Sequence, residues 1–200
     1  MLSQCPDPQE IVDKAIELAQ FSSWENFSLL ELASSLHCDL AQIKNHFRSK
    51  DDIAEALFNR ADDAMLTAGS TGHFVSGDEG LVAAIMCWFE SLAPNKKLVR
   101  EILAYKLEPG HFHLQAHGIT RISRTVQWLL HVSGRSYTGV NRVIDEVAVT
   151  QAYLASFCFF LFDNSEKHQA TRALLTRLIN KVSRAESFIT RLSRRANRQK

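Results

Sequence analysis

Residues 28–50 read SLLELASSLHCDLAQIKNHFRSK. Ser28 stands three residues before Glu31, the spacing at which a serine caps a helix and a glutamate returns the bond. Leu29, Leu32, Ala33 and Leu36 then recur at helical spacing and give a short helix one apolar face. His37-Cys38 interrupts it. Asp39 caps a second short helix, with Leu40, Ile43 and Phe47 expected on its inner side. Arg48-Ser49 is another break, and Lys50 opens a longer helix to about Leu66 that carries Ile53, Ala54, Leu57 and Ala61 inward. Two short helices joined by a three-residue turn make a helix-turn-helix. The second helix of such a pair lies in the major groove of DNA. Its outward face here offers Gln42, Lys44, Asn45 and His46. Gln and Asn match the donor and acceptor of adenine, and Lys reaches guanine. Arg48 and Lys50, beside open backbone N–H groups, suit a phosphate, and Ser28 joins them as an expected DNA contact.

Working outward, Pro8 fits the first turn of a helix capped by Asp7, in which Ile11, Ala15, Leu18 and Ala19 share a face. The head therefore has three helices before the long one, and spans residues 1–66. Gly69, Gly72, Gly77 and Gly80 mark residues 67–80 as a linker. Beyond it the pattern is helical again: Glu79–Ala93 up to Pro94, Asn95–Leu107 up to Pro109-Gly110, His113–Val132 up to Gly134, then Val140–Phe162 and Ser165 to about Ser193. The expected architecture is all-α, about nine helices, with a body over 81–193 and a basic tail over 194–200.

Composition agrees. Eight glycines and four prolines in 200 residues leave few helix breakers, and 46% hydrophobic residues suffice for a core. Net charge is +1, so no global basic excess announces a nucleic-acid partner. Cys5, Cys38, Cys87 and Cys158 form no C-x-x-C pair, and MLSQCPDPQE is polar and acidic. Both features point to a reduced, cytoplasmic protein with inert thiols. The most apolar run, Ala152–Phe162, is shorter than the roughly 20 residues a bilayer span takes and reads as a buried core helix. No nucleophile elbow, phosphate loop or dinucleotide fingerprint is present, so no enzyme and no cofactor are expected. Asp145-Glu146 reads as a solvated pair.

At residues 11–64 the chain resembles the TetR family of bacterial transcriptional regulators. Leu32-Ala33 stands where those heads carry an Ile-Ala or Leu-Ala pair. His46-Phe47-Arg48-Ser49-Lys50 matches their His-Phe-x-Ser/Asn-Lys sequence. The resemblance implies a body that binds a small molecule and a homodimer formed through the last two helices. It also implies a roughly palindromic double-stranded operator, and it fits a repressor released by an apolar effector. Pocket residues are then Trp88, Phe89, Trp128, Tyr153 and Phe157. Dimer residues are Leu154, Cys158, Leu161, Leu174 and Leu178.

Three features depart from the family pattern. His37 occupies a turn position usually held by Gly, which serves positive φ without strain. Lys44 replaces a Tyr. Residues 1–60 hold five basic and ten acidic residues, a balance of −5, whereas phosphate neutralisation supplies most DNA affinity. The chain is also somewhat similar to the TetR-fold lipid-binding accessory protein of ubiquinone biosynthesis. That similarity lies in Trp24 ahead of Ser28-Leu29, in Leu92-Ala93-Pro94-Asn95, and in Leu161–Ser165 with Thr171 and Leu174–Arg177. Two further patterns stand apart. Arg191, Arg194, Arg195, Arg198 and Lys200 form a basic helix end suited to the helix dipole or to weak contact with anionic lipid. His111, His113 and His117 lack a neighbouring acid or Cys and read as solvated or pocket-lining, with no metal.

Overall fold

The computed structural model describes the backbone of residues 6–108, 112–135 and 140–197, with side chains over 6–108, 118–135 and 142–185. Among these residues there are nine α-helices: α1 (Pro8–Ser22), α2 (Leu29–Ser35), α3 (Leu40–His46), α4 (Lys50–Ser70), α5 (Asp78–Leu92), α6 (Lys96–Leu107), α7 (Phe112–Val132), α8 (Val140–Phe160) and α9 (Gln169–Asn197). Short 3-10 turns precede α6 (Ala93–Asn95) and α9 (Glu166–His168). The fold is all-α, as the spacing of apolar residues requires.

The helices pack into two compact units: Met1–Ala61 with Leu92–Gln115, and Asp62–Ser91 with Ala116–Lys200. This differs from the contiguous division at residues 66 and 80 read from the glycines. The boundary falls inside α4, and α6 packs with the first unit. Specific bonds explain the second point. Lys106 of α6, 7% exposed, places its ammonium 2.6 Å from both Asp51 and Glu55 of α4. Glu101 accepts the Trp24 N–H at 2.8 Å, and Gln20 donates to Asn95 at 2.8 Å. The apolar side of α6, Leu98, Val99 and Ile102, is buried in the same core as Ile11, Ala15, Phe27, Leu32, Ile43 and Leu57. Through Lys96, Lys97, Arg100 and Lys106, against Glu101 and Glu108, the segment 92–115 that carries α6 also moves the unit's charge from −5 to −3.

The glycine-rich stretch is tighter than a linker. Gly69 lies in α4 and Gly80 in the first turn of α5, and the Gly77 N–H donates to the Ser133 carbonyl at 2.8 Å. A Cβ on Gly80 would lie 1.6 Å from the Val75 carbonyl oxygen, so only glycine fits there.

In the second unit two buried ion pairs tie helices together. Asp62 of α4 accepts from Arg121 (2.9 Å) and Thr125 (3.0 Å) of α7 and from the Trp88 indole of α5 (2.7 Å). Arg135 donates to Asp145 of α8 at 2.7 and 3.1 Å, to Asp78 of α5, and to Ser183 of α9 at 3.2 Å. Asp145 is therefore a buried ion-pair partner and not part of a solvated pair. Over Arg142–Phe160, α8 is long and apolar enough by composition to cross a membrane. The buried carboxylate, and the packing of Val149, Tyr153, Phe157 and Phe160, fit a core helix instead. α8 stops at Phe160, two residues earlier than expected. Asp163 takes over there: its carboxylate accepts the Ser165 N–H at 2.8 Å and the Thr171 N–H and hydroxyl at 2.9 and 2.6 Å. Burial pushes this carboxyl's pKa up, but those hydrogen bonds outweigh it and hold the group well below the usual carboxylate range.

Candidate nucleic-acid interface

The turn between α2 and α3 sets the site. The His37 N–H donates to Ser34 (3.2 Å) and the Cys38 N–H to Ala33 (3.0 Å), with His37 at φ +52°. This is a Schellman termination, which closes the orphan carbonyls of a helix and needs a left-handed residue. The same pair of bonds ends α7, where Gly134 supplies φ +62°. Histidine in the glycine position thus preserves the turn at a strain cost of about 1 kcal/mol.

Both caps form. The Ser28 hydroxyl accepts the Glu31 N–H at 3.1 Å. At α3 the box is reciprocal: Asp39 accepts the Gln42 N–H at 2.8 Å, and the Gln42 carboxamide oxygen accepts the Asp39 N–H at 3.0 Å. α3 is then anchored by Ile43 and Phe47, which are buried.

The seven expected DNA contacts divide into two groups. Lys44, Asn45, His46 and Arg48 are exposed, the first three along the outer side of α3. Ser28, Gln42 and Lys50 are engaged within the chain. Lys50, expected to reach a phosphate, points the other way. Its ammonium donates to the carbonyls of Trp24 (2.6 Å), Phe27 (2.7 Å) and Glu25 (3.2 Å) and lies 5.3 and 5.0 Å from the Trp24 and Phe27 ring centres. Partial burial lowers its pKa, and Glu25 offsets part of that. Leu40, expected inward, is 46% exposed, because Phe47 and Ile43 already fill the contact with the core. Asp52 accepts the Arg48 N–H at 2.8 Å, which shapes the entry to α4.

The other expected sites lie in the second unit. Trp88, Phe89, Tyr153 and Phe157 do come together, as a closely packed ring cluster with centres 5.4 to 6.0 Å apart. Burial pushes the Tyr153 phenol pKa far above its ordinary value, Asp62 adds to this and Arg121 partly offsets it. Trp128 is not in the cluster; it is 45% exposed and faces His131. An open surface cavity of about 290 Å³ lies elsewhere, between α7 and α8, lined by Ser123, Val143, Glu146, Val147, Thr150 and Gln151. Of the expected dimer residues, Cys158 is exposed and Leu154, Leu174 and Leu178 are half-buried, while Leu161 is buried at 4% because it turns under the end of α8. The side chains of His111, His113 and His117 and of the basic tail lie outside those described, among which no group of metal-ligating side chains occurs.

A short capped helix pair, a strained left-handed turn and an exposed polar second helix define a helix-turn-helix protein with a helical body. Comparison with known structures narrows this. A TetR transcriptional regulator from Nitrosomonas europaea ATCC 19718 superposes with a TM-score of 0.78 and 35% identity over 88% of this chain and 97% of that one. The TetR family transcriptional regulator PfmR from Thermus thermophilus shares the fold at a TM-score of 0.52 and 19% identity, over 85% of this chain and 97% of that one. Both are described as regulators, and neither as the lipid-binding accessory protein. No family sequence model and no curated protein matches the chain. The chain belongs to the TetR family of transcriptional regulators.

Proposed function

We propose that this chain is a cytoplasmic, homodimeric, DNA-binding repressor that a small apolar effector releases from a roughly palindromic operator. The observation that carries the reading is the outer side of α3. Lys44, Asn45 and His46 stand exposed there, with Arg48 just beyond, on a helix held by a reciprocal cap and two buried side chains. Preorganised polar groups on a rigid helix are what base reading needs. The unit's −3 balance leaves phosphate neutralisation to few cations, so binding is salt-sensitive and rests on the placement of each.

Dimerisation is supported by an apolar outer side of α8. Val143 is 56% exposed and Val147 55%, Leu154 and Cys158 lie on the same side, and Phe162, 71% exposed, follows just past the helix end. Large exposed apolar groups in a row mark an interaction surface. The effector reading rests on the aromatic cluster, which an apolar ligand would open; it is linked to DNA release by reciprocal coupling.

Fluorescence anisotropy on duplexes from the gene's own upstream DNA tests the proposal. Expected are specific, salt-dependent binding and a loss of about tenfold in Lys44→Ala, the worth of one good base contact. Light scattering should give twice the 22.6 kDa chain mass. Absence of specific binding to any upstream fragment, or a monomer at micromolar concentration, would overturn it.

A further inference from the structure

We infer that the first turn of α3 reads thymine methyl groups, through Leu40 and Ala41, and that Gln42 reads no base. The inference rests on the DNA-binding reading above and adds the sequence feature that the head recognises. In a helix-turn-helix, the residues early in the second helix are the ones brought against base edges. Here those residues are Leu40, Ala41, Gln42 and Ile43. Ile43 is buried at 1% and serves the core. Gln42 has the right chemistry for adenine, but its carboxamide oxygen is bonded to the Asp39 N–H, closing the cap that starts the helix. Reading adenine through both of its groups would open that cap.

What remains outward in this turn is apolar. Leu40 is 46% exposed and Ala41 is exposed, and neither carries a hydrogen-bonding side-chain atom. Leucine at this point is not explained by the core, which Ile43 and Phe47 already complete. Of the major-groove features of the four base pairs, only the C5-methyl of thymine is apolar. A buried side chain–methyl contact is therefore the favourable pairing for Leu40 and Ala41. A base pair presenting only donors and acceptors would lose water there with nothing in return. The next turn changes character, because Lys44 and Asn45 are exposed and polar. Each half-site is thus composed of a thymine under the first turn, next to a purine contacted through hydrogen bonds.

The test uses the full-length chain and a pool of randomised duplex DNA. Selection yields a consensus, and each thymine in it is then replaced in turn by deoxyuridine, which removes only the methyl group. Expected is one or two thymines per half-site at which the replacement weakens binding about fourfold, the worth of one buried methyl. At one of these thymines the penalty should vanish in Leu40→Ala, whose fold is checked by thermal denaturation. Gln42→Ala should leave the selected consensus unchanged. The inference is overturned if no replacement weakens binding, if the penalty persists at every sensitive thymine in Leu40→Ala, or if Gln42→Ala relaxes the choice of adenine at one position. A pool that returns no consensus overturns the DNA-binding reading, and this inference with it.

Discussion

Lys50 in the first unit and Arg135 in the second are both cations drawn out of water, and the chain satisfies them in opposite ways. The ammonium of Lys50 rests on three main-chain carbonyls and two aromatic faces. The guanidinium of Arg135 takes two carboxylates and a hydroxyl. The side chains explain the choice. Lysine is a compact charge with three donors that can spread over a turn, whereas the planar arginine fork matches a carboxylate with paired bonds. One device fixes the path of a loop, and the other holds three helices by their side chains. Lys50 thus fixes a local path through the backbone, and Arg135 an arrangement of helices through side chains far apart in sequence.

Asp145→Ala should have the largest effect. It removes the buried carboxylate from a buried guanidinium that also meets the half-exposed Asp78 and the Ser183 hydroxyl, and we expect a loss of about 3 kcal/mol or more in urea unfolding. A loss below about 1 kcal/mol would show that water already reaches the pair. Lys50→Met should cost about 2 kcal/mol, since it strips donors from part-buried carbonyls. Lys50→Arg should not restore it, because a planar fork cannot face three carbonyls arranged around a point; full rescue would show that any cation serves at this position.

The smallest effect concerns Asp163, an anion satisfied by two main-chain N–H groups and the Thr171 hydroxyl, and so a partial counterpart of Lys50. Its pKa is depressed in the folded chain, so its contribution is complete above the unfolded value near 4 and fades as pH falls through the folded one. Asp163→Asn should lower stability by about 1–2 kcal/mol at pH 7, with the gap closing below pH 4. A gap independent of pH would assign the effect to packing.

Local features of the head are legible in the sequence. Ser28 and Asp39 cap where spacing places them, and His37 takes the left-handed conformation that its position in the turn demands. These depend on neighbours within five residues. What escapes a sequence reading depends on distant partners. Nothing near Lys50 reveals that the chain at Trp24–Phe27 passes within reach, so its direction stays hidden. The attachment of α6 rests on Lys106 meeting Asp51 and Glu55, some fifty residues away. Asp145 reads as solvated because its partner, Arg135, sits in what looks like a break. Leu40 is misplaced, and the bond from Gln42 back to Asp39 goes unseen, for a related reason. Periodicity places Leu40 inward, but only packing reveals that the core is already full, and a glutamine's residue type does not disclose that it is occupied.

The grip of Lys50 on main-chain oxygens has an evolutionary side. A carbonyl is present whatever the side chain, so the clamp does not depend on the identity of Asn26, which lies between its holds. Substitutions can accumulate there while the chain keeps its course into α2. The shape of this connection can therefore be inherited separately from its residues, provided that one lysine stays.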